Sequence, residues 1–174
     1  MSVILGVSGL AESVRFKHQH WPDLEEREYR ILQGFDAAAA LVVDGVVVAA
    51  AAEERFNRHK QSGDFPAQAT DYCLREAGLS IGDVDEIAHC FDYAPFGEIF
   101  SLDPTSAMLY EEVFSKQALL AQANRQFPGF PAERIHQVNH HLSHAASAYF
   151  TLGGTSAILN PLSTPGTFRV ASDS

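Results

Sequence analysis

Short apolar runs separated by turn signals dominate the first part of the chain. Val3–Val7 is a continuous apolar run, which predicts a buried β-strand near the amino terminus. Two further apolar runs, Ala38–Val43 and Val46–Ala51, flank the dipeptide Asp44-Gly45. Because Asp-Gly suits the type I′ turn that matches strand twist, these two runs predict a β-hairpin.

Helical and extended patterns alternate after the hairpin. Phe65–Ala77 is predicted to be a helix, with Pro66 near its first position and Gly78 just past its end. The remaining elements are predicted to be a strand over Val84–Phe91, a long helix over Asp103–Phe127, a strand over Ile135–Val138 and a helix that begins near His140. The resulting order is β-β-β-α-β-α-β-α.

Two histidines four residues apart are the strongest chemical signal. His140 and His144 are predicted to share a helix face with Cβ atoms about 5–6 Å apart, so both imidazoles can reach one metal ion. His141 points elsewhere, and Asn139 is a suitable N-cap for this helix. The glutamate of a zinc protease H-E-x-x-H motif is missing, so the pair predicts metal holding without protease chemistry. The alternative is that these histidines are helix caps or half-buried core residues.

Composition narrows the class of protein. The 174 residues fit one domain, and 46% hydrophobic content is enough for a sizeable core. A net charge of −10 with only 12 Lys and Arg argues against a nucleic-acid partner. No signal-peptide pattern or run of about 18 apolar residues is present, so we expect a cytoplasmic protein without membrane association. Cys73 and Cys90 are expected to be buried thiols.

Four ordered segments resemble one enzyme family. They are Val3–Gly9, Asp36–Gly45, Ala52–Lys60 followed by Asp64-Phe65-Pro66, and the histidine-rich run His140–Phe150. The last run resembles the H-H-L-[SA]-H-A-A-S-A-[YF] motif of the O-carbamoyltransferases of nodulation and antibiotic biosynthesis. The resemblance implies an α/β fold, the actin-like ATPase (ribonuclease H-like) lobe, with a mixed five-stranded sheet and helices on both faces. We expect this lobe to span 1–150, with an insertion at 10–33.

The resemblance also implies a reaction. Family members use ATP as co-substrate and carbamoyl phosphate to make carbamoyl adenylate, and they then carbamoylate a hydroxyl of a sugar or natural product. By this resemblance His140 and His144, with a downstream aspartate, hold a divalent metal, iron or zinc. Arg55 and Lys60 are candidates for binding the anionic phosphate, although a charge cluster after a strand is more often a solvated loop. Asp36 is the candidate catalytic residue that orients a ligand or metal-bound water, or equally a turn cap.

Three departures from the family pattern qualify these expectations. Phe35 stands where family members commonly carry a histidine. Segment 10–33 is longer than in simple members, and it is either a surface helix with a few core anchors or a lid or acceptor-binding flap. After Phe150 the family's D-G-x-G-E turn is missing, so 151–174 is expected to be an irregular tail, truncated or frame-shifted. We therefore expect the chain alone to be inactive, and a second copy or a complementing carboxy-terminal part are its candidate protein partners.

Two other classes of function stay open at this point. The chain could be a catalytically inert metal-binding or regulatory module, or a lobe of another actin-like ATPase such as a sugar kinase or chaperone. The histidine pair disfavours the ATPase alternative, because kinases of that fold do not need it.

Overall fold

The computed structural model describes residues 1–10, 12–30, 36–151, 159–161 and 168–170. The chain forms two compact units, Met1–Val138 and Asn139–Ser174, which are described separately below. Phe35, residues 31–33 of the predicted insertion, and most of the predicted tail lie outside the described residues. The predicted boundary after residue 150 stays a prediction.

A mixed five-stranded sheet organises the first unit. Its strands are β1 (Val3–Ser8), β2 (Ala38–Val43), β3 (Val46–Ala52), β4 (Glu86–His89) and β5 (Ile135–Gln137). The spatial order is β3-β2-β1-β4-β5, with β1, β2 and β3 antiparallel and β1, β4 and β5 parallel. This strand order is that of an actin-like, ribonuclease H-like lobe, so the predicted fold class is confirmed.

Seven helices of the first unit connect and flank these strands in its described part. They are α1 (Glu12–His20), α2 (Glu26–Arg30), α3 (Glu54–Asn57), α4 (Ala67–Glu76), α5 (Gly97–Phe100), α6 (Pro104–Leu109) and α7 (Lys116–Gln126). A π-helical turn, Tyr110–Phe114, separates α6 from α7. The predicted single helix over Asp103–Phe127 is therefore wrong. Ser115 interrupts it in an extended conformation (ψ 155°), and its hydroxyl accepts a hydrogen bond from Ala118 N as the N-cap of α7.

The predicted hairpin and helix ends are confirmed. Asp44 and Gly45 connect β2 to β3 with φ of 49° and 82°, the two positive values of a type I′ turn. Pro66 is the N-cap residue of α4, and Gly78 follows that helix with φ of 66°. Local turn chemistry therefore sets these boundaries, as the sequence indicates.

The core lies on one face of the sheet. Val3, Leu5 and Val7 of β1 are at most 4% exposed, and α4 and α7 contribute to the same apolar cluster. Ile4, whose side chain points to the opposite face, is 38% exposed. Helices α4 and α7 both pack on the buried face of the sheet. The expectation of helices on both faces therefore stays a prediction for the opposite face.

The predicted insertion forms α1 and α2. Phe16 and Tyr29 are buried, as expected for surface helices with core anchors. Lys17 is also buried, and its Nζ donates to the carbonyl oxygens of Glu28 at 2.8 Å and Tyr29 at 3.2 Å. Burial lowers the Lys17 pKa, which the nearby Glu28 carboxylate partly offsets. These bonds join the end of α2 to α1.

The second unit contains α8 (His140–Thr151) and an antiparallel pair of short strands, β6 (Leu159–Pro161) and β7 (Phe168–Val170). Among the described residues of the whole chain, no helix is long and apolar enough to cross a bilayer.

Candidate functional site

Three chain segments meet at the carboxyl end of β1. The turn after β1, the residues before β2 and the loop after α3 all lie at this edge, because β2 runs antiparallel to β1 and β3 antiparallel to β2. Leu10 N donates to Gly63 O at 2.9 Å, and Ala37 N donates to Ser62 O at 2.9 Å. Main-chain hydrogen bonds therefore bind the loop at residues 58–64 to both neighbouring segments.

Gly9 and Ser62 hold this junction together. Gly9 has φ of 120°, and a Cβ at this position would lie 2.5 Å from Asp64 O. The buried Ser62 hydroxyl accepts from Asn57 Nδ2 at 2.8 Å and donates to Asp64 Oδ2 at 3.2 Å. The close backbone approach requires glycine, and the serine satisfies the polar groups around it.

Asp36 lies at this junction with its side chain exposed to solvent. Its backbone is left-handed, with φ of 54°, and its carbonyl oxygen accepts from Ser8 Oγ at 3.0 Å. The same Ser8 oxygen accepts from Ala38 N at 3.1 Å. Among the described residues none donates a hydrogen bond to the Asp36 carboxylate, so nothing in the described part of the chain supports the turn-cap alternative.

Glu53 is buried, although its charged neighbours in sequence predict a solvent-exposed cluster. It is 3% exposed, and its carboxylate accepts from Ala69 N at 2.8 Å and Gln68 N at 3.3 Å. These amides belong to the first turn of α4, where a negative charge is favoured. Glu53 therefore caps a helix that begins fourteen residues later in the chain, which local sequence patterns do not reveal.

The two predicted phosphate ligands are placed differently. Arg55 is exposed on α3, whereas Lys60 lines a cleft of about 590 Å³. Two more basic side chains, Arg58 and His59, line the same cleft, and Arg58 adopts φ of 62°. The other lining residues are Val14, Glu26, Gln61, Ser62, Gly63 and Asp64. The insertion thus forms one wall of the cleft that contains Lys60.

His89 is a buried polar residue that sequence reasoning missed. It ends β4 and is 2% exposed, with Nδ1 lying 3.3 Å from Phe91 N and 3.2 Å from Phe91 O. Burial lowers its pKa and so favours the neutral imidazole, although hydrogen bonds to backbone groups partly offset the shift. Its carbonyl oxygen accepts from Val138 N at 2.9 Å, which ties β4 to the residue before the histidine segment. The sequence did carry a signal for this burial: His89 lies two residues after the buried Ile87, so both side chains point to the same face of β4.

The histidine pair lies in the first turns of α8. Asn139 Oδ1 accepts from Leu142 N at 3.1 Å, which confirms the predicted N-cap. His140 Nε2 and His144 Nε2 are 2.9 Å apart, and their ring centroids are separated by 4.3 Å. His141 is exposed, with its ring centroid 6.0 Å from that of His140. The four-residue spacing on one helix therefore brings together the Nε2 atoms of the two histidines that were predicted to be metal ligands.

The geometry of the pair fits two ligands of one ion. Nitrogens bound about 2.0–2.1 Å from the same metal lie roughly 3 Å apart, close to the observed 2.9 Å. In the described part of the chain, no group of three or more His, Cys, Asp or Glu could hold a metal. The pair alone thus offers two imidazole ligands. The two histidines belong to the second unit, whereas the Lys60 cleft belongs to the first.

Comparison with known proteins supports the family resemblance over part of the chain. Residues 32–96 match the family model described as Carbamoyltransferase N-terminus. The chain is 39% identical over 133 residues to uncharacterized protein sll1178 of Synechocystis, covering 66% of this chain and 21% of that protein. It is 35% identical over 141 residues to nodulation protein NolNO of Sinorhizobium fredii, covering 76% of this chain and 20% of that protein. The chain spans about a fifth of the length of these curated relatives.

One solved structure is similar at lower identity. YeaZ from Pseudomonas aeruginosa aligns with a TM-score of 0.42 and 16% identity, covering 99% of this chain and 66% of that one. The strand order, and not this likeness, defines the class of protein as an actin-like lobe. The predicted family resemblance is confirmed: residues 32–96 match the carbamoyltransferase N-terminus, and by resemblance the chain groups with transferases.

Proposed function

We propose that this chain is the amino-terminal part of an ATP-dependent O-carbamoyltransferase. The reaction converts carbamoyl phosphate, ATP and water into carbamoyl adenylate with release of phosphate and pyrophosphate. Transfer of the carbamoyl group to a hydroxyl of a sugar or natural product then releases AMP. The observation that carries the proposal is the His140–His144 pair, with Nε2 atoms 2.9 Å apart, in a chain that matches the carbamoyltransferase N-terminus.

The histidine pair is proposed to hold a divalent iron or zinc ion. Imidazole nitrogens suit both metals, and the two-histidine donor set calls for a further ligand such as a carboxylate. A bound ion would act as a Lewis acid on the carbonyl of the carbamoyl group. His140 and His144 would fix its position through the rigid helical turn that Asn139 caps.

Phosphate binding is assigned to the cleft next to the insertion. Lys60 lines this cleft and can donate to phosphate oxygens as a point charge, while Arg58 adds a second cation. Arg55 is retained as a phosphate ligand from the neighbouring helix α3, although it is not among the lining residues. Asp36 has an exposed carboxylate that can accept a hydrogen bond from an acceptor hydroxyl and orient it.

The partners follow from this reaction. Carbamoyl phosphate, ATP and a hydroxylated acceptor are the small-molecule partners, and a second copy or a carboxy-terminal part of the enzyme is the proposed protein partner. A cytoplasmic location, with neither a nucleic-acid nor a membrane partner, is part of the same proposal. These assignments rest on family resemblance, because the chain spans about a fifth of its curated relatives.

Calorimetric titration with iron(II) or zinc tests the metal assignment. We expect weak binding by the unmodified chain, because two imidazoles give an incomplete ligand shell. The double variant His140→Ala, His144→Ala should lose this binding, while His141→Ala should retain it, since His141 points away from the pair. Equal binding by the double variant and the unmodified chain would refute the assignment.

A further inference from the structure

An apolar face of the segment around α5 is exposed to solvent. The exposed fractions are 41% for Phe96, 65% for Ile99 and 83% for Leu102, and Leu102 is the most exposed large hydrophobic residue in the described part of the chain. We call these three side chains the 96–102 patch. Single exposed hydrophobic residues are normal on protein surfaces, whereas groups of them mark interaction sites.

Helical geometry groups the three side chains. A 3₁₀ turn, Ala94–Phe96, runs directly into α5, and Leu102 N donates to Ile99 O at 3.3 Å just after the helix ends. The residues of the patch are therefore three apart on one continuous helical segment. Residues at this spacing are neighbours on a helix surface, so the patch is one face.

Another side of the same segment packs against the protein. The Phe100 ring centroid lies 5.7 Å from that of Tyr110 and 5.3 Å from that of the buried Phe114. A Cβ at Gly97 would lie 3.6 Å from the Tyr110 ring. The segment is therefore anchored through Gly97 and Phe100, and the 96–102 patch is a second apolar face that stays at the surface.

All charged residues near the patch in sequence are acidic. Residues 91–115 contain no Lys, Arg or His, and Glu98 and Asp103, which adjoin patch residues in the chain, are both exposed. The other carboxylates of this stretch are Asp92, Glu111 and Glu112. A surface that combines apolar side chains with carboxylates fits a partner that has apolar side chains and positive charge.

The same charge disfavours two other occupants. In a symmetric dimer both copies present the same patch, which brings Glu98 and Asp103 toward their own counterparts. The cytoplasmic face of a membrane carries negative charge and repels these carboxylates in the same way. A basic polypeptide has neither disadvantage.

We propose that the 96–102 patch is a docking surface for a basic amphipathic helix of another polypeptide. Such a helix lays its apolar face on the patch, and Lys or Arg beside that face pairs with Glu98 and Asp103. The patch spans about 9 Å at 1.5 Å per residue, which matches about two turns of a partner helix. An interface this small indicates a transient complex, with a dissociation constant of about 10–100 µM. The surface does not depend on metal binding or on carbamoyl transfer.

Fluorescence anisotropy with two labelled peptides tests the surface. The first peptide is an amphipathic helix of Leu and Lys, about 14 residues long, and the second has Glu in place of every Lys. We expect the Lys peptide to bind the unmodified chain with a dissociation constant of about 10–100 µM that rises with salt, and the Glu peptide not to bind. No binding of the Lys peptide, or equal binding of the two peptides, would overturn the proposal.

Matched variants locate the binding site. Ile99→Ser with Leu102→Ser removes two exposed apolar side chains and should weaken binding of the Lys peptide about tenfold. Val46→Ser with Val47→Ser, an exposed apolar pair on β3, should leave that binding unchanged. Unchanged affinity in the Ile99 and Leu102 double variant would overturn the assignment, since the peptide would then bind elsewhere on an acidic chain.

A second pair of variants tests the charge. Glu98→Gln with Asp103→Asn removes two carboxylates beside the patch, and asparagine can still cap α6, where the Asp103 carboxylate accepts from Ser106 N at 2.8 Å. Asp23→Asn with Glu133→Gln removes the same charge at exposed positions outside residues 91–115. The first variant should weaken the Lys peptide about threefold more than the second. Equal effects would show attraction by net charge alone and would overturn the proposal.

The other occupants are tested with the same Ile99 and Leu102 double variant. Sedimentation equilibrium should give it the same molecular mass as the unmodified chain, and vesicles containing phosphatidylserine should bind the two equally or not at all. Self-association or vesicle binding that is lost in the double variant would assign the patch to a second copy or to a membrane, and would overturn the proposal.

Discussion

Polar residues of the candidate site and its surroundings fall into two groups, which differ in how far they are buried. The inner group is Glu53, Ser62 and His89, each buried and in contact with backbone or side-chain polar groups. The rim group is Asp36, Arg55, Lys60, His140 and His144, which are exposed or half-buried. Glu53 and Lys60 come from a single charged stretch, yet one caps a helix and the other lines an open cleft.

This difference teaches that one motif can serve both folding and binding. Glu53 and Ser62 use their side-chain oxygens in hydrogen bonds within the protein, and His89 is buried with Nδ1 beside Phe91 although its Nε2 has no partner among the described residues. Loss of any of the three should therefore lower the free energy of unfolding. Residues of the rim group are exposed or half-buried, so their loss should alter ligand affinity more than stability. The following changes test that separation, from the largest expected effect to the smallest.

Gly9→Ala is expected to destabilise most. The change places a Cβ 2.5 Å from Asp64 O at a backbone φ of 120°, so strain and a steric clash add together. We expect a loss of about 3 kcal/mol or more in the free energy of unfolding, measured by urea denaturation. Gly45→Ala is the matched control, because Gly45 also has positive φ but no atom within 4 Å. Equal losses for the two variants would show that the junction does not require glycine.

Glu53→Gln should cost about 1–3 kcal/mol, because one of two acceptor oxygens facing the amides of α4 becomes an NH₂ group. The neighbouring Glu54→Gln should cost less, since Glu54 is only half-buried and accepts from Gln61 N at a longer 3.3 Å. Chemical denaturation of both variants makes the comparison. A larger loss for Glu54→Gln than for Glu53→Gln would show that Glu54, and not Glu53, is the carboxylate that stabilises the fold.

His89 should make stability depend on pH. Burial lowers its pKa from 6.5, so the unfolded chain takes up a proton at a higher pH than the folded chain does. The free energy of unfolding should therefore fall as the pH drops below about 6.5, by at most about 1.4 kcal/mol per pH unit. The loss continues until the pH reaches the lowered pKa of the folded state.

Thermal or urea unfolding between pH 7.5 and 5.5 measures this dependence, over a range set by the unperturbed pKa of about 6.5. His89→Phe should flatten the slope, whereas His141→Phe should keep it, because His89 is still present. If His89→Phe retained the full slope, another group would be responsible.

Lys60→Ala should have the smallest effect on folding, below about 0.5 kcal/mol, because the side chain is exposed. Its binding of carbamoyl phosphate, followed by ³¹P NMR, should nevertheless weaken about tenfold through loss of a charge-assisted hydrogen bond. Lys116→Ala, an exposed change outside the Lys60 cleft, should leave that binding unchanged. If Lys60→Ala lowered the free energy of unfolding without weakening the binding of carbamoyl phosphate, Lys60 would be a residue that stabilises the fold and not a phosphate ligand.

Local signals predicted much of the fold. The Asp44-Gly45 turn, the Asn139 cap and the spacing of His140 and His144 depend on nearby residues, and the structure has all three. The break at Ser115 was missed because the apolar periodicity continues across it.

Long-range pairings explain the other omissions. Glu53 meets α4, and His89 meets Val138. No local pattern encodes such contacts, because they depend on how distant segments pack. Sequence therefore predicted the rim histidines better than the inner group.

The most direct test of the central claim counts the imidazoles on the bound metal. X-ray absorption spectroscopy of the zinc complex of the unmodified chain should show two imidazole nitrogens per ion at about 2.0–2.1 Å, with the remaining ligands oxygen. The same signal should vanish in the His140→Ala, His144→Ala variant, and the stoichiometry should be one ion per chain. Imidazole scattering that persists in that variant would contradict the assignment of His140 and His144 as the metal ligands.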